Sequence, residues 1–139
     1  MSVNEPRQRR RARHIWPWVV ALWPCFALAA SGSWSGTGDG PRVAGPDRSY
    51  VSAIFHPPAI AARARVRRVH WGYALPPDRR LIAELCMAGH CVRLDGDRGT
   101  SDAFAGTSAA TPPVFRFRLP PGERRAVRVG AIRLMVDYQ

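Results

Sequence analysis

The chain has 139 residues, of which 21 are basic and 10 acidic, giving a formal net charge of +11, and all of the basic residues are arginine. This length holds one modest domain and excludes a large multidomain enzyme. The positive charge alone gives only weak, salt-dependent affinity for polyanions, and the arginines are spread along the whole chain, so we predict no nucleic-acid partner.

The first 29 residues have the order of a secretory signal peptide: positive, then apolar, then small. Five arginines lie within residues 7–13, an apolar run covers residues 15–30, and Ala27-Leu28-Ala29 supplies a small-x-small cleavage site. We therefore predict cleavage between Ala29 and Ala30. A retained membrane anchor is the alternative, but the run of sixteen residues contains two prolines and is shorter than the roughly 20 apolar residues of a span.

Cleavage removes the five arginines and Glu5, leaving 110 residues with 16 basic and nine acidic side chains and a net charge of +7. We predict an exported protein with no stable membrane span after cleavage. Cys25 is lost with the signal, so the mature chain keeps the even pair Cys86 and Cys91 in an oxidising compartment. A zinc site is the alternative use of the pair, but it needs about four ligands and only His90 lies near them.

The mature chain divides into two parts. Residues 30–47 are rich in glycine, serine and proline, which predicts a flexible N-terminal arm with Trp34 as a candidate anchor. Residues 48–139 contain short extended segments between glycine and proline turns, which is typical of a small antiparallel β-sandwich, an all-β fold. The predicted strands cover residues 49–55, 63–75, 81–86, 91–94, 113–119, 126–129 and 132–138.

Alternation is clearest in the last two long segments. Apolar residues alternate with Arg116 and Arg118 in residues 114–119, and with Arg133 and Asp137 in residues 132–138. A period of two indicates strands with one buried and one solvated face. We therefore predict that these arginines lie on the solvated faces of their sheets.

The two mature cysteines fit a β-hairpin closed by the four residues 87–90, a common loop length. Without a bulge, this loop predicts the cross-strand pairs Ala83–Leu94, Glu84–Arg93, Leu85–Val92 and Cys86–Cys91. Opposed Cβ atoms lie about 4.5–5.5 Å apart, so a disulfide forms there with little adjustment. Because it closes so short a loop, it stabilises the fold by only about 2 kcal/mol.

Asp95, Asp97 and Asp102 form the densest group of carboxylates and hint at a calcium loop. The EF-hand pattern fails, because Thr100 stands where glycine is required and Gly106 where the bidentate glutamate belongs. Aspartate-glycine turns explain these residues more simply. We predict no metal site here.

Catalytic side chains are equally sparse. The serines and threonines of residues 100–108 lack a G-x-S-x-G elbow. His56 and His70 could act as bases in principle, but an ordinary strand or loop position is the simpler interpretation of each. Trp71 and Tyr73 alternate on one strand face, where they either pack in the core or stack on a sugar. We predict no catalytic residue and no cofactor.

The ordered motifs of residues 63–139 resemble the flagellar FlhE family. They are Trp71-Gly72-Tyr73, Leu85-Cys86, Cys91-Val92, Leu94-Asp95-Gly96, Gly99-Thr100, Ala103-Phe104-Ala105-Gly106, Pro121-Gly122 and Val136-Asp137-Tyr138. A weaker match is Gly32-Ser33-Trp34, while residues 40–62 depart from the family pattern.

This resemblance implies a small periplasmic β-sandwich protein of flagellar assembly and type III export that is not an enzyme. It further implies protein binding, either chaperone-like or limiting proton leakage at the export gate. The implied partners are flagellar export proteins or rod and filament proteins, and a homodimer stays open. The alternative is a periplasmic module for a cell-wall glycan or another envelope polymer, which exposed Trp71 and Tyr73 would favour.

Overall fold

A computed structural model describes residues 31–139, which form ten β-strands. The strands are β1 (Gly32–Gly38), β2 (Arg42–Val43), β3 (Tyr50–Val51), β4 (Val66–Tyr73), β5 (Ile82–Met87), β6 (His90–Arg93), β7 (Arg98–Ser101), β8 (Val114–Arg118), β9 (Val127–Arg128) and β10 (Ile132–Tyr138). Residues 1–30, with the proposed Ala29–Ala30 cleavage site, lie outside the described part of the chain.

Two four-stranded antiparallel sheets make up the domain. The first sheet has the order β1-β10-β4-β7 and the second β3-β8-β5-β6, while β2 and β9 form a separate pair. The one helical element of residues 31–139 is a 3-10 turn, Ala59–Arg63. The predicted all-β sandwich is therefore confirmed. No helix within this part of the chain is long and apolar enough to cross a membrane.

The core lies between the inner faces of the two sheets. β10 has the bounds predicted from its alternation, and Ile132, Leu134 and Val136 are buried on its inner face. From the second sheet, Phe117 meets the ring of Tyr73 in the first sheet, with ring centroids 5.2 Å apart in an edge-to-face arrangement. Aromatic pairs favour that geometry, and it joins the two layers.

The prediction of a flexible arm over residues 30–47 is wrong for residues 32–38. Residues 32–38 form β1, which pairs with β10 over seven residues and buries Trp34 opposite Val136. Its glycines are inward positions crowded by aromatic rings. A Cβ on Gly32 would lie 2.7 Å from Tyr138 Oη, and one on Gly36 would lie 2.7 Å from Phe55 Cδ1. The glycine-rich composition therefore reflects close packing rather than disorder.

β4 contains an irregularity that strict alternation does not predict. Val66 and Val69 are both buried although they are three residues apart. The pairing with β10 shifts between Asp137, opposite Arg68, and Tyr138, opposite Val66. The extra residue is Arg67, and such a β-bulge lets both valines face the core.

Two further strands differ from the sequence prediction. β7 forms at Arg98–Ser101, where the sequence predicted no strand, and pairs with β4. β3 covers only Tyr50–Val51, although the backbone continues beside β8, where Ser52 N donates to Phe115 O and Phe55 N to Pro113 O.

Candidate functional site

The disulfide hairpin has the predicted register. Cys86 pairs with Cys91 at a Cα–Cα distance of 4.0 Å, and the two sulfurs are bonded. The loop is shorter than predicted, because Met87 pairs with His90 and leaves only Ala88 and Gly89 in the turn. Both of these residues have positive φ, 50° and 76°, as a type I′ turn requires. Because one residue from each strand joins the ladder to form this single extra pair, the predicted register holds.

The carboxylates and histidines singled out from the sequence do not converge. Asp95 and Asp97 lie in the β6–β7 loop, Asp102 follows β7, and His56 lies after β3. Within residues 31–139, no three histidine, cysteine or carboxylate side chains gather closely enough to hold a metal ion.

His70 has a partner that the sequence did not indicate. Its Nε2 lies 2.8 Å from Asp137 Oδ2, across the outer face of the first sheet. The two residues are 67 positions apart in the chain and meet because β4 and β10 are neighbours. No serine or cysteine is hydrogen-bonded to this pair within the described residues, so it orders the sheet face without forming a nucleophilic triad.

Trp71 and Tyr73 belong to the core. They are only 8% and 7% exposed, and both side chains donate to the carbonyl oxygen of Gly96, at 3.5 Å and 3.0 Å. Burial, together with the nearby charge of Asp97, raises the pKa of the Tyr73 hydroxyl above its ordinary value. Neither ring is available as a sugar-stacking platform.

Arg79 fixes the long turn that follows β8. Its guanidinium donates to the carbonyl oxygens of Arg125 at 2.6 Å and Ala126 at 3.3 Å, and lies 3.7 Å from a carboxylate oxygen of Glu123. The Arg125 and Arg124 amides donate to Glu123 Oε1. These bonds, the Arg125 amide foremost, lower the pKa of the Glu123 carboxyl.

Two surface grooves contain arginines that form no ion pair with another of the described residues, 31–139. One lies on the outer face of the first sheet, encloses about 810 Å³, and is lined in part by Arg98, Arg133 and Gly72. The other lies at one end of the second sheet, encloses about 780 Å³, and contains Arg93 and Arg118.

Sequence reasoning did not single out either groove. Arginine is the chain's only basic residue type, so an arginine at a given position carries little information. The grooves arise from register between strands that are far apart in the sequence. The alternation of residues 114–119 and 132–138 did place Arg118 and Arg133 on outer sheet faces, and this alternation was the usable signal.

The described residues thus define a small, basic, disulfide-linked β-sandwich protein. The profile of the family described as Flagellar protein FlhE matches residues 40–139. The Flagellar protein FlhE of Salmonella typhimurium LT2 is 33% identical over 130 residues, covering 87% of this chain and 96% of the relative. That of Escherichia coli K12 is 32% identical over 126 residues with the same coverage. The chain belongs to the FlhE family of flagellar proteins.

Solved structures agree with this assignment. A crystal structure of FLHE superimposes with a TM-score of 0.70 at 30% identity, covering 80% of this chain and 99% of that one. A serine protease of Aeromonas sobria superimposes with a TM-score of 0.61 at 15% identity, over 81% of this chain and 28% of the protease. This second similarity shows a shared fold alone.

Proposed function

We propose that the mature domain is a periplasmic accessory of flagellar assembly and type III export that acts by binding protein. Membership of the FlhE family is the observation that carries this proposal. The signal-peptide pattern of residues 1–29 supports the location, since it would send the following domain out of the cytoplasm. The disulfide suits an oxidising compartment.

Within that role, the domain either keeps flagellar parts from assembling wrongly or limits proton leakage at the export gate. Its partners are then export-gate proteins or rod and filament proteins. Binding rather than catalysis is supported by the separation of the candidate carboxylates and histidines, because acid–base or nucleophilic chemistry needs a nucleophile and a base in hydrogen-bond reach of one another. The one such contact described, His70 with Asp137, has no serine or cysteine hydrogen-bonded to it among the described residues. The envelope-polymer alternative loses its specific support, since Trp71 and Tyr73 pack inside the domain.

Gene deletion and complementation test this proposal. Deletion should disturb motility, proton tightness or the placement of filaments, while export itself continues. Single substitutions of Asp95, Asp97, Asp102, His56 and His70 by their neutral isosteres should complement. Phe117→Asp should not, because it buries a charge in the core.

Two outcomes contradict the proposal. One is a single carboxylate or histidine variant that fails to complement while its circular dichroism and melting stay normal, which reveals a chemical site. The other is a deletion strain with normal flagella whose purified protein binds peptidoglycan, which establishes the envelope-polymer function. Intact mass of the envelope-recovered protein tests location, and a product that retains Met1 or Ser2 contradicts it.

A further inference from the structure

A row of four residues crosses the outer face of the first sheet. Thr37 pairs with Arg133, Arg133 with Gly72, and Gly72 with Arg98, so all four side-chain positions point the same way. Gly72 lies in the inner strand β4 and has no side chain, and a Cβ built there meets no atom within 4 Å. The row therefore contains a one-residue notch with an arginine on each side.

The spacing of the notch suits one anionic group. Adjacent strands are about 4.8 Å apart, so the backbones of Arg98 and Arg133 are separated by roughly 10 Å with β4 between them. Both long side chains can lean over the bare backbone of Gly72 from opposite sides. A guanidinium forms two parallel hydrogen bonds to a carboxylate, and two of them can enclose it.

The two arginines have no partner of their own in the described structure. Within residues 31–139, the ion pairs closer than 4.0 Å involve Arg79, Arg125 and His70, and neither notch arginine. Asp97 lines the same groove and is the one carboxylate on its wall. Asp137, on the same sheet face, is hydrogen-bonded to His70. The groove thus holds two arginines against one carboxylate and presents an excess of positive charge.

The groove is larger than a single anion needs. It encloses about 810 Å³, and apolar Met135 and Leu75 line it together with the arginines. Met135 is 38% exposed, although it lies near the middle of β10. An extended peptide with an acidic side chain and an apolar side chain two residues apart matches this mixture, because residues two apart point to the same face of an extended chain.

We call this face the Gly72 notch; its row consists of Thr37, Arg133, Gly72 and Arg98. We propose that the Gly72 notch binds an acidic segment of a partner protein. One carboxylate sits over Gly72 between Arg98 and Arg133, and the apolar side chain two residues along the peptide packs on Met135, which is two residues from Arg133 on β10. This inference rests on the proposed protein-binding function and names the surface that performs it.

Fluorescence anisotropy tests the site on the purified mature protein at low ionic strength. The labelled peptide has glutamate and valine in turn at every second position and serine at the positions between, so that both residue types share one face of the extended chain. The double variant R98Q/R133Q should weaken binding by about ten-fold or more, as loss of a charge-assisted contact does. Gly72→Val should weaken it similarly without changing any charge, because it fills the notch. Its melting temperature should stay near that of the unsubstituted protein, since the added side chain enters open space.

The matched control is R42Q/R128Q. These arginines are also opposed on neighbouring strands, and their replacement changes the net charge by the same amount. An equal loss of affinity in this control, or normal peptide binding by folded Gly72→Val, overturns the inference. A peptide with glutamine in place of glutamate should not bind. If the notch variants instead reduce binding to phosphatidylglycerol vesicles and leave peptide binding intact, the ligand is a lipid headgroup and the inference is wrong.

Complementation separates this inference from the proposed function. If the unsubstituted gene fails to restore the flagellar phenotype of a deletion strain, the proposed function is refuted, and the peptide measurements alone decide whether the notch binds carboxylates. If the unsubstituted gene restores it and folded Gly72→Val and R98Q/R133Q restore it equally well, the notch is not the working surface.

Discussion

At the scale of single residues, two glycines on neighbouring parts of the first sheet should respond oppositely to the same substitution. Gly36→Ala places a Cβ 2.7 Å from the Phe55 ring, so we expect the free energy of unfolding to fall by about 1–3 kcal/mol. Gly72→Ala meets no atom within 4 Å and reduces the entropy of the unfolded chain, so stability should stay level or rise by up to about 1 kcal/mol. Urea denaturation measures both. Equal losses would show that β1 does not pack as described.

Tyr73 should make the domain sensitive to alkaline pH. Its folded-state pKa is raised above the ordinary value of 10.0, first by burial and then by Asp97, so the fold favours the neutral phenol. That contribution is complete below about pH 10 and is lost as pH rises through the raised pKa. Thermal melts across this range should show a smaller alkaline decline for Tyr73→Phe than for the unsubstituted protein. An identical decline contradicts the assignment to Tyr73.

At the scale of elements, the hairpin β5–β6 combines a disulfide with a turn that fixes the same register. Replacing Cys86 by Ala and Cys91 by Ser should lower the free energy of unfolding by about 2 kcal/mol, because the closed loop is short. The turn and its neighbouring pairs should keep the register, so the near-ultraviolet dichroism should stay close to that of the oxidised protein. Titratable thiols in unreduced protein, or a complete loss of folding in the double variant, contradict this account.

Sequence alone predicted the elements whose local pattern and tertiary environment agree. β8 and β10 alternate strictly because one side of each faces the core, and the cysteine spacing set the hairpin register. β1 was not predicted as a strand. Its inward positions are glycines because the rings of Phe55 and Tyr138 occupy the space beside them, and those rings come from distant parts of the chain. The bulge at Arg67 was also not predicted, because it depends on the pairing of β4 with β10 and not on the local sequence.

The Gly72 notch likewise could not be predicted from local sequence patterns. Arg98, Gly72 and Arg133 lie on three different strands, and only the sheet order and register place them in one row. Trp71-Gly72-Tyr73 is one of the motifs shared with the family. The sequence suggested a role for its two aromatic residues and none for Gly72, which forms the notch. The sequence could therefore predict the sandwich and the disulfide, but not which arginines share a surface.

At the scale of the whole molecule, the domain should depend on a strand that lies before the region matched by the family profile. The profile match begins at residue 40, whereas β1 covers Gly32–Gly38 and closes the free edge of β10. A chain that begins at residue 39 loses the seven β1 pairs and buried Trp34, and leaves β10 as an open, largely apolar edge. Exposed edges of this kind promote aggregation.

The truncated chain should consequently be far less stable than one that begins at residue 31. Removing a buried tryptophan side chain alone costs about 3–5 kcal/mol, a large part of the roughly 5–15 kcal/mol that holds a typical domain folded. Urea denaturation followed by tryptophan fluorescence should show a clear shift to a lower midpoint, and light scattering should show aggregation.

The matched control is Trp34→Phe in the longer chain. It keeps the strand, and it removes an indole N–H that is buried without a hydrogen-bond partner among the described residues, so its loss should be small. Equal stability of the two chain lengths contradicts a structural role for β1.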